Sequence, residues 1–322
     1  MKRILFFLFI FMLCALLLFP TGCGTSGVAL PDEATLSGVL AREGYRIVWS
    51  DEFDGNTLDT SKWRAGYDGN VRRAGYYETT PDTLFLQDGN LVIRTHYKEN
   101  GAYGAGWYTS WVESAINKGH APKTEDYQGF NAKYGYFEVR CKVPASIGIW
   151  SAFWLMPDEG VGMTADDLPG TGSDGVEIDV MESPWFYQKG KDKQELNVHV
   201  LHADGYQNTK SDRSATYRVP DMATEFHTYG VMWTETEYVF YVDGKETWRS
   251  VHTVDGKNLG VSQVKEYLLL TVEVAGQDPE NPGRVRNQNG EWEDFWCGNP
   301  DRNDKSKVYD FVIDYVRVYQ KG

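Results

Sequence analysis

Gly175-Val176-Glu177-Ile178-Asp179-Val180-Met181-Glu182-Ser183 carries the most informative pattern in the chain. Side chains alternate across a β-strand, so Val176, Ile178 and Val180 share one face while Glu177 and Asp179 share the other. The apolar trio belongs against a core, and the two carboxylates belong on the opposite, cleft-facing side. Glu182 lies five positions after Glu177, an odd separation that would aim it inward in a regular strand. One extra residue near Met181, a β-bulge, returns it to the face of the other two acids. A buried, unpaired carboxylate costs far more than a kinked strand, so the stretch predicts a bulged strand with three acids in one row.

Working outward, residues 91–95, 136–140, 238–242 and 311–319 are short runs of β-branched and aromatic residues bounded by Gly, Asp or Asn. Gln87-Asp88-Gly89-Asn90 and Val242-Asp243-Gly244-Lys245 carry the Asp-Gly turn signal. No long stretch keeps a helical period, and no internal repeat is visible. Many short strands over residues 45–322, with no Pro/Gly-rich linker among them, predict one all-β sandwich domain. Irregular segments at about 100–130, 157–175 and 275–307 read as walls of a binding cleft, because long loops inside a compact domain usually serve function.

Composition narrows the partner. Lys and Arg total 32 against 46 Asp and Glu, a net charge of -14 that repels polyanions and excludes nucleic acid as the main partner. An uncharged polysaccharide suits such a surface and the 14% aromatic content. Met1-Lys2-Arg3, an apolar run to Phe19 and Thr21-Gly22-Cys23 read as a secretory signal over residues 1–22. This end resembles a bacterial lipoprotein signal, which implies a lipid on Cys23, a secreted or cell-surface protein, and a membrane contact through that anchor alone. Residues 23–44 read as a tether. Cys14 leaves with the signal, so Cys141 and Cys297 remain, as a disulfide or as two separate thiols. No zinc-type spacing occurs.

Crowded carboxylates push their pKa values apart, leaving one ionised and one protonated at the same pH. Retaining glycoside hydrolysis uses such a pair, a nucleophile and an acid roughly 5–5.5 Å apart across the scissile bond. Glu177-Ile178-Asp179-Val180-Met181-Glu182 resembles the bulged active-site motif of glycoside hydrolase family 16. Trp49-Ser50-Asp51-Glu52-Phe53-Asp54-Gly55, Tyr134-Gly135-Tyr136-Phe137-Glu138-Val139-Arg140, Trp150-Ser151-Ala152-Phe153-Trp154-Leu155 and Asp314-Tyr315-Val316-Arg317-Val318-Tyr319 extend the likeness over about residues 47–320. The resemblance implies a concanavalin A-like β-jelly-roll of two antiparallel sheets, an open cleft, and endo-hydrolysis by a monomer without any catalytic cofactor. It assigns Glu177 as nucleophile, Glu182 as acid/base and Asp179 as their assistant, with Trp154 and Trp150 under the sugar. It also implies a structural calcium held by Glu52, the Gly89 carbonyl and Asp314, oxygen ligands of the kind Ca²⁺ takes.

Asn197 and His199 alternate onto one face and His202 onto the other, and each histidine reads either as a group near the cleft or, more commonly, as a satisfied structural one. Glu273 is a polar residue in an apolar strand, either cleft-facing or a paired structural charge. The bulged motif points to β-1,3 or mixed β-1,3-1,4 glucan. The approach Gly172-Ser173-Asp174-Gly175 lacks the Trp-Pro of laminarinase-like sequences, which keeps agarase, porphyranase and carrageenase activities as the alternative. A non-catalytic glycan-binding module and a transglycosylase are the remaining readings, the former having no need of two glutamates at this spacing.

Overall fold

Strand-forming runs with one apolar face bury that face against a second sheet, and this chain does so twice over. The computed structural model describes residues 36–66, 69–115, 129–157, 171–187, 193–202, 211–298, 300 and 305–322. Cys23 and the predicted signal lie outside the described residues, as do 116–128 of the 100–130 segment and 158–170 of the 157–175 segment. Among the described residues, one sheet has 8 strands and the other 11. In the smaller, here the cleft sheet, Asp212–Arg213, Lys193–His202, Glu177–Tyr187, Ile149–Pro157, Glu266–Val274, Trp111–Glu113 and Arg64–Gly66 lie side by side. In the larger back sheet, Lys245–Ser250, Tyr238–Val242, His227–Trp233, Gly135–Lys142, Val308–Lys321, Asn90–Gly101 and Gly104–Thr109 follow in that spatial order. Neighbours distant in sequence require crossovers between the sheets, the jelly-roll arrangement. The strands Gly104–Thr109 and Trp111–Glu113 replace what reads as irregular in sequence.

The core lies between the sheets. Val176, Ile178, Val180 and Met181 from the cleft sheet join Phe137, Val139, Val231, Val316 and Val318 from the back sheet in one buried cluster. Glu177–Tyr187 is an interior strand, so both its edges are held. Its entry is fixed by Gly175, whose φ of 95° is left-handed and whose absent Cβ would stand 2.3 Å from Pro157 Cγ.

Residues 36–44 are not a tether. Leu36–Arg42 is a helix on the outer face of the back sheet, with Leu40 buried against Tyr136 and Tyr319 and with Met232 and Tyr241 packed around it. Gly44, at φ 90°, ends the helix by donating its N–H to the Ala41 carbonyl at 3.1 Å, and the first strand begins at Tyr45. No periodic signal marks this helix, because its 7 residues are too few to show a period. Truncating Leu40 to Ala should cost about 2 kcal/mol, the low end for a buried leucine, read as a lowered melting temperature by circular dichroism. A tether at this point would leave the melting curve unchanged.

Candidate active site

Register defines the acid row. Asp179 pairs with Val200 and Glu182 with Val198, so three steps on the acid strand match two on its neighbour. Toward Ile149–Pro157, Trp154 pairs with Asp179 and Phe153 with Met181, so Val180 is the residue skipped. The predicted bulge is present, and both Val180 and Met181 are fully buried. Glu177, Asp179 and Glu182 consequently line one cleft of about 590 Å³. Ala152 is the partner of Glu182, and its methyl leaves the glutamate room that a larger side chain would take.

Across the cleft floor, Trp154 donates its indole N–H to Thr271 Oγ1 at 3.0 Å and stands edge-on to Trp111 at 5.5 Å. Trp150 also lines the cleft and hydrogen-bonds Glu182. Trp296 packs on Trp150 at 5.1 Å and on Trp185 at 5.4 Å, forming an aromatic wall. Arg73 lies 4.6 Å over the Trp150 ring. Glu273 receives both Arg72 and Arg73, and their charges outweigh its burial and hold its carboxyl below the usual range. Near Glu177, the His202 Nε2 stands 3.6 Å from Asp179. Ligand atoms of Glu177, Asp179 and His202 all lie within 4.8 Å of one another.

Burial and mutual repulsion act together on the row. Asp179 is raised well above the usual carboxylate range by burial first, then by Glu182, Glu177 and Glu273. Burial, Glu177 and Glu273 push Glu182 up to about 8, against the opposing pull of Arg73 and the Trp150 hydrogen bond. Burial, with Arg213 and His252 nearby, lowers His202 to about 4, so its contact with Asp179 is made by a neutral imidazole at pH 7. The site therefore holds protons on carboxyls at neutral pH.

Comparison with known proteins adds the family. The family model described as beta-porphyranase A-D, GH16 domain, matches residues 47–321. The chain belongs to glycoside hydrolase family 16. It is 27% identical over 301 residues to glucan endo-1,3-beta-glucosidase A1 of Niallia circulans, covering 86% of this chain and 38% of that protein. The chain thus spans under two fifths of that relative. It is 26% identical over 313 residues to a beta-glucanase of Rhodothermus marinus, covering 93% and 91% of the two chains. Among solved structures, the endo-beta-1,3(4)-glucanase SCLam superposes with a TM-score of 0.62 at 24% identity, over 87% of this chain and 92% of that one. That likeness shows the fold, a jelly-roll of the GH16 type.

The other expectations drawn from the GH16 resemblance divide. The calcium set does not assemble as a cation cage. Glu52 is engaged by the Arg317 guanidinium at 3.0 and 2.6 Å, and Asp314 is engaged by Arg140. Two carboxylates each neutralised by an arginine do not fit a divalent ion. Cys141 and Cys297 are separate buried thiols. Asn197 and His199 are fully buried between the sheets, as alternation requires. His202 departs from the structural reading because it lines the cleft, and Glu273 fulfils both its readings at once. Sequence reasoning missed Arg72, Arg73, Arg213, Trp185 and Trp296. The 275–307 segment was legible as a cleft wall, and Trp296 comes from it, but no pattern marked the Val71–Arg72 turn.

Glu182 should therefore be protonated at pH 7 and ionise near pH 8, followed as the carboxyl stretch in infrared difference spectra against Glu182→Gln. Arg73 favours the ionised form, so Arg73→Gln should move that midpoint upward; a midpoint near 4 to 5 in the native protein would contradict the arrangement.

Proposed function

We propose that this protein hydrolyses internal β-1,3 or mixed β-1,3-1,4 linkages of a glucan with retention of anomeric configuration. The bulged acid row carries the reading. Glu177 and Glu182 stand opposite His202 and Val198, four positions apart along the neighbouring strand. That is roughly 13 Å of backbone, which two inward-leaning glutamates narrow toward the ~5–5.5 Å that retention needs. Lining residues come from successive strands, so the groove crosses the sheet and suits a chain bound along its length.

Glu177, the ionised member, attacks the anomeric carbon and forms a glycosyl ester while the glycosidic C–O bond breaks. Glu182, held protonated at neutral pH, gives its proton to the departing oxygen. Water then attacks the same carbon, Glu182 takes its proton, and the Glu177 carboxylate is released. Asp179 lies between them, and burial and its acidic neighbours favour its protonated form, which can donate a hydrogen bond to Glu177 when that group is ionised. Trp154 and Trp150 offer indole faces to sugar rings. The relatives with the widest coverage are glucanases, which supports the glucan substrate.

A galactan hydrolase, of porphyran, agar or carrageenan, is the second reading. The family model's description favours it, as do Arg72, Arg73 and Arg213, which make the cleft less anionic than the chain's net charge of -14. Reducing-end assays on laminarin, lichenan, agarose, porphyran and carrageenan decide between the two. Glu177→Gln should lower activity at least about 10⁴-fold. Glu182→Ala should recover with azide and yield the β-glycosyl azide, the product of retention. Equal activity of native protein and Glu177→Gln would remove the nucleophile, and binding without cleavage would leave a glycan-binding module.

Export is proposed on the strength of the basic start, apolar run and Cys23, with Cys23 acylated. Palmitate label should enter the native protein in a bacterial host and be absent from Cys23→Ser; label in both would place the anchor elsewhere.

A further inference from the structure

Two bulges face one residue. In the acid strand the register leaves Val180 and Met181 together opposite His199. At the edge of the back sheet, Phe240 pairs with Trp248 and Tyr241 with Glu246, so Thr247 is the residue skipped there. The fully buried His199 ring reaches both. Its Nδ1 lies 2.7 Å from the Val180 carbonyl oxygen and its Nε2 lies 2.8 Å from Thr247 Oγ1.

The backbone of His199 points elsewhere. Its N–H donates to Ser214 Oγ at 3.1 Å, and its carbonyl accepts from the Ser214 N–H at 3.0 Å. What reaches the bulge from this position is therefore the side chain. A carbonyl can only accept, so Nδ1 carries the hydrogen. Burial pushes the imidazole pKa down to about 3, which keeps the ring neutral and makes Nε2 an acceptor for the Thr247 hydroxyl. Tyr217 and Phe240 stack on the ring at 4.5 and 4.6 Å and fix its plane.

We propose that His199 is a positioning residue for the acid row: by donating Nδ1–H to the Val180 carbonyl, it pins the bulge that brings Glu182 level with Glu177 and Asp179. The proposal rests on the hydrolytic reading above. A strand that loses the bulge before Glu182 exchanges the faces of Met181 and Glu182, because side-chain period in a strand is two. Glu177, upstream of the bulge, keeps its face. Loss of the pin therefore harms proton donation more than nucleophilic attack. That asymmetry separates positioning from simple structural support.

The test uses His199→Phe, which keeps a stacking ring without a donor, and His199→Asn, whose amide reaches the Nδ1 position. Thr247→Val, at an exposed edge, removes only the orienting hydroxyl and serves if His199→Phe does not fold. Hydrogen–deuterium exchange of peptides spanning residues 177–187 should quicken about tenfold in His199→Phe and less in the other two. On phenyl β-laminaribioside, whose poor leaving group needs a proton, kcat should fall about 10²-fold, the usual worth of general acid catalysis. On the 2,4-dinitrophenyl analogue, which needs none, the loss should stay within a few-fold, and His199→Asn should lie near the native protein on both. Unchanged exchange, equal losses on both glycosides, or His199→Asn as impaired as His199→Phe would each overturn the proposal. Should the native protein cleave no glycan, the hydrolytic reading fails by itself, and the exchange result alone then supports or overturns the pinned bulge.

Discussion

A single extra residue in one interior strand governs this molecule. Glu177 and Glu182 are separated by an odd number of positions, and only a bulge puts both on the cleft side. The bulge has a cost, since two consecutive residues, Val180 and Met181, must both be accommodated in the core. It also needs space on the cleft side, which Ala152 leaves beside Glu182. Beyond Glu182 the pairing with the neighbouring strand shifts register again, before Trp185 and before Tyr187. The strand enters through the left-handed Gly175, and the back sheet supplies apolar surface over the inward residues. Bulges are kept where a side chain must be re-aimed, and here the re-aimed group is a carboxyl.

From that row follows the electrostatics. Asp179, Glu182 and Glu273 crowd together away from bulk water, and Glu177 stands at the same face. Arg72 and Arg73 are committed to Glu273, which stays ionised. Burial and mutual repulsion favour the protonated forms of Asp179 and Glu182. Residual influence of Arg73 on Glu182 tunes that value without abolishing it. A row with an arginine salt-bridged to every acid would be fully ionised at pH 7 and would have no proton to give. The cleft thus avoids full compensation, and the unpaired part is the part that can do acid chemistry.

The acid strand, its bulge, the all-β class and the alternation of Asn197 and His199 were legible because each depends on a period of two within a few residues. What failed had no such local signal. Seven residues of helix at Leu36–Arg42 are too short for a 3.6-residue period, and Leu40 is explained only by Tyr136 and Tyr319 from strands far along the chain. Arg72 and Arg73 lie some 200 positions from Glu273 and look like any exposed turn. The calcium set was carried by likeness alone, and the Arg317 and Arg140 contacts that contradict it are cross-strand pairs visible only once register is known. His202 stayed open between two readings for the same reason, since alternation gave its face but could not say that this face was the cleft.

Chemistry and substrate choice are consequently carried by different parts of the fold. The acid row acts on an anomeric carbon and a glycosidic oxygen, which every β-linked polysaccharide presents, so the row by itself favours neither glucose nor galactose. Discrimination must come from groups that meet hydroxyls or their substituents farther from the bond. In the described cleft these are Trp150, Trp185 and Trp296 on one wall, the Arg72–Arg73 turn beside them, and Arg213 near His202. Trp150, Trp185 and Arg213 stand on strands of the cleft sheet, whereas Arg73 and Trp296 stand on turns, which change readily while the strands beneath stay put. On the proposed reading the acid row supplies the chemistry, while the arginines and tryptophans of the cleft walls are the groups placed to meet the rest of the polysaccharide.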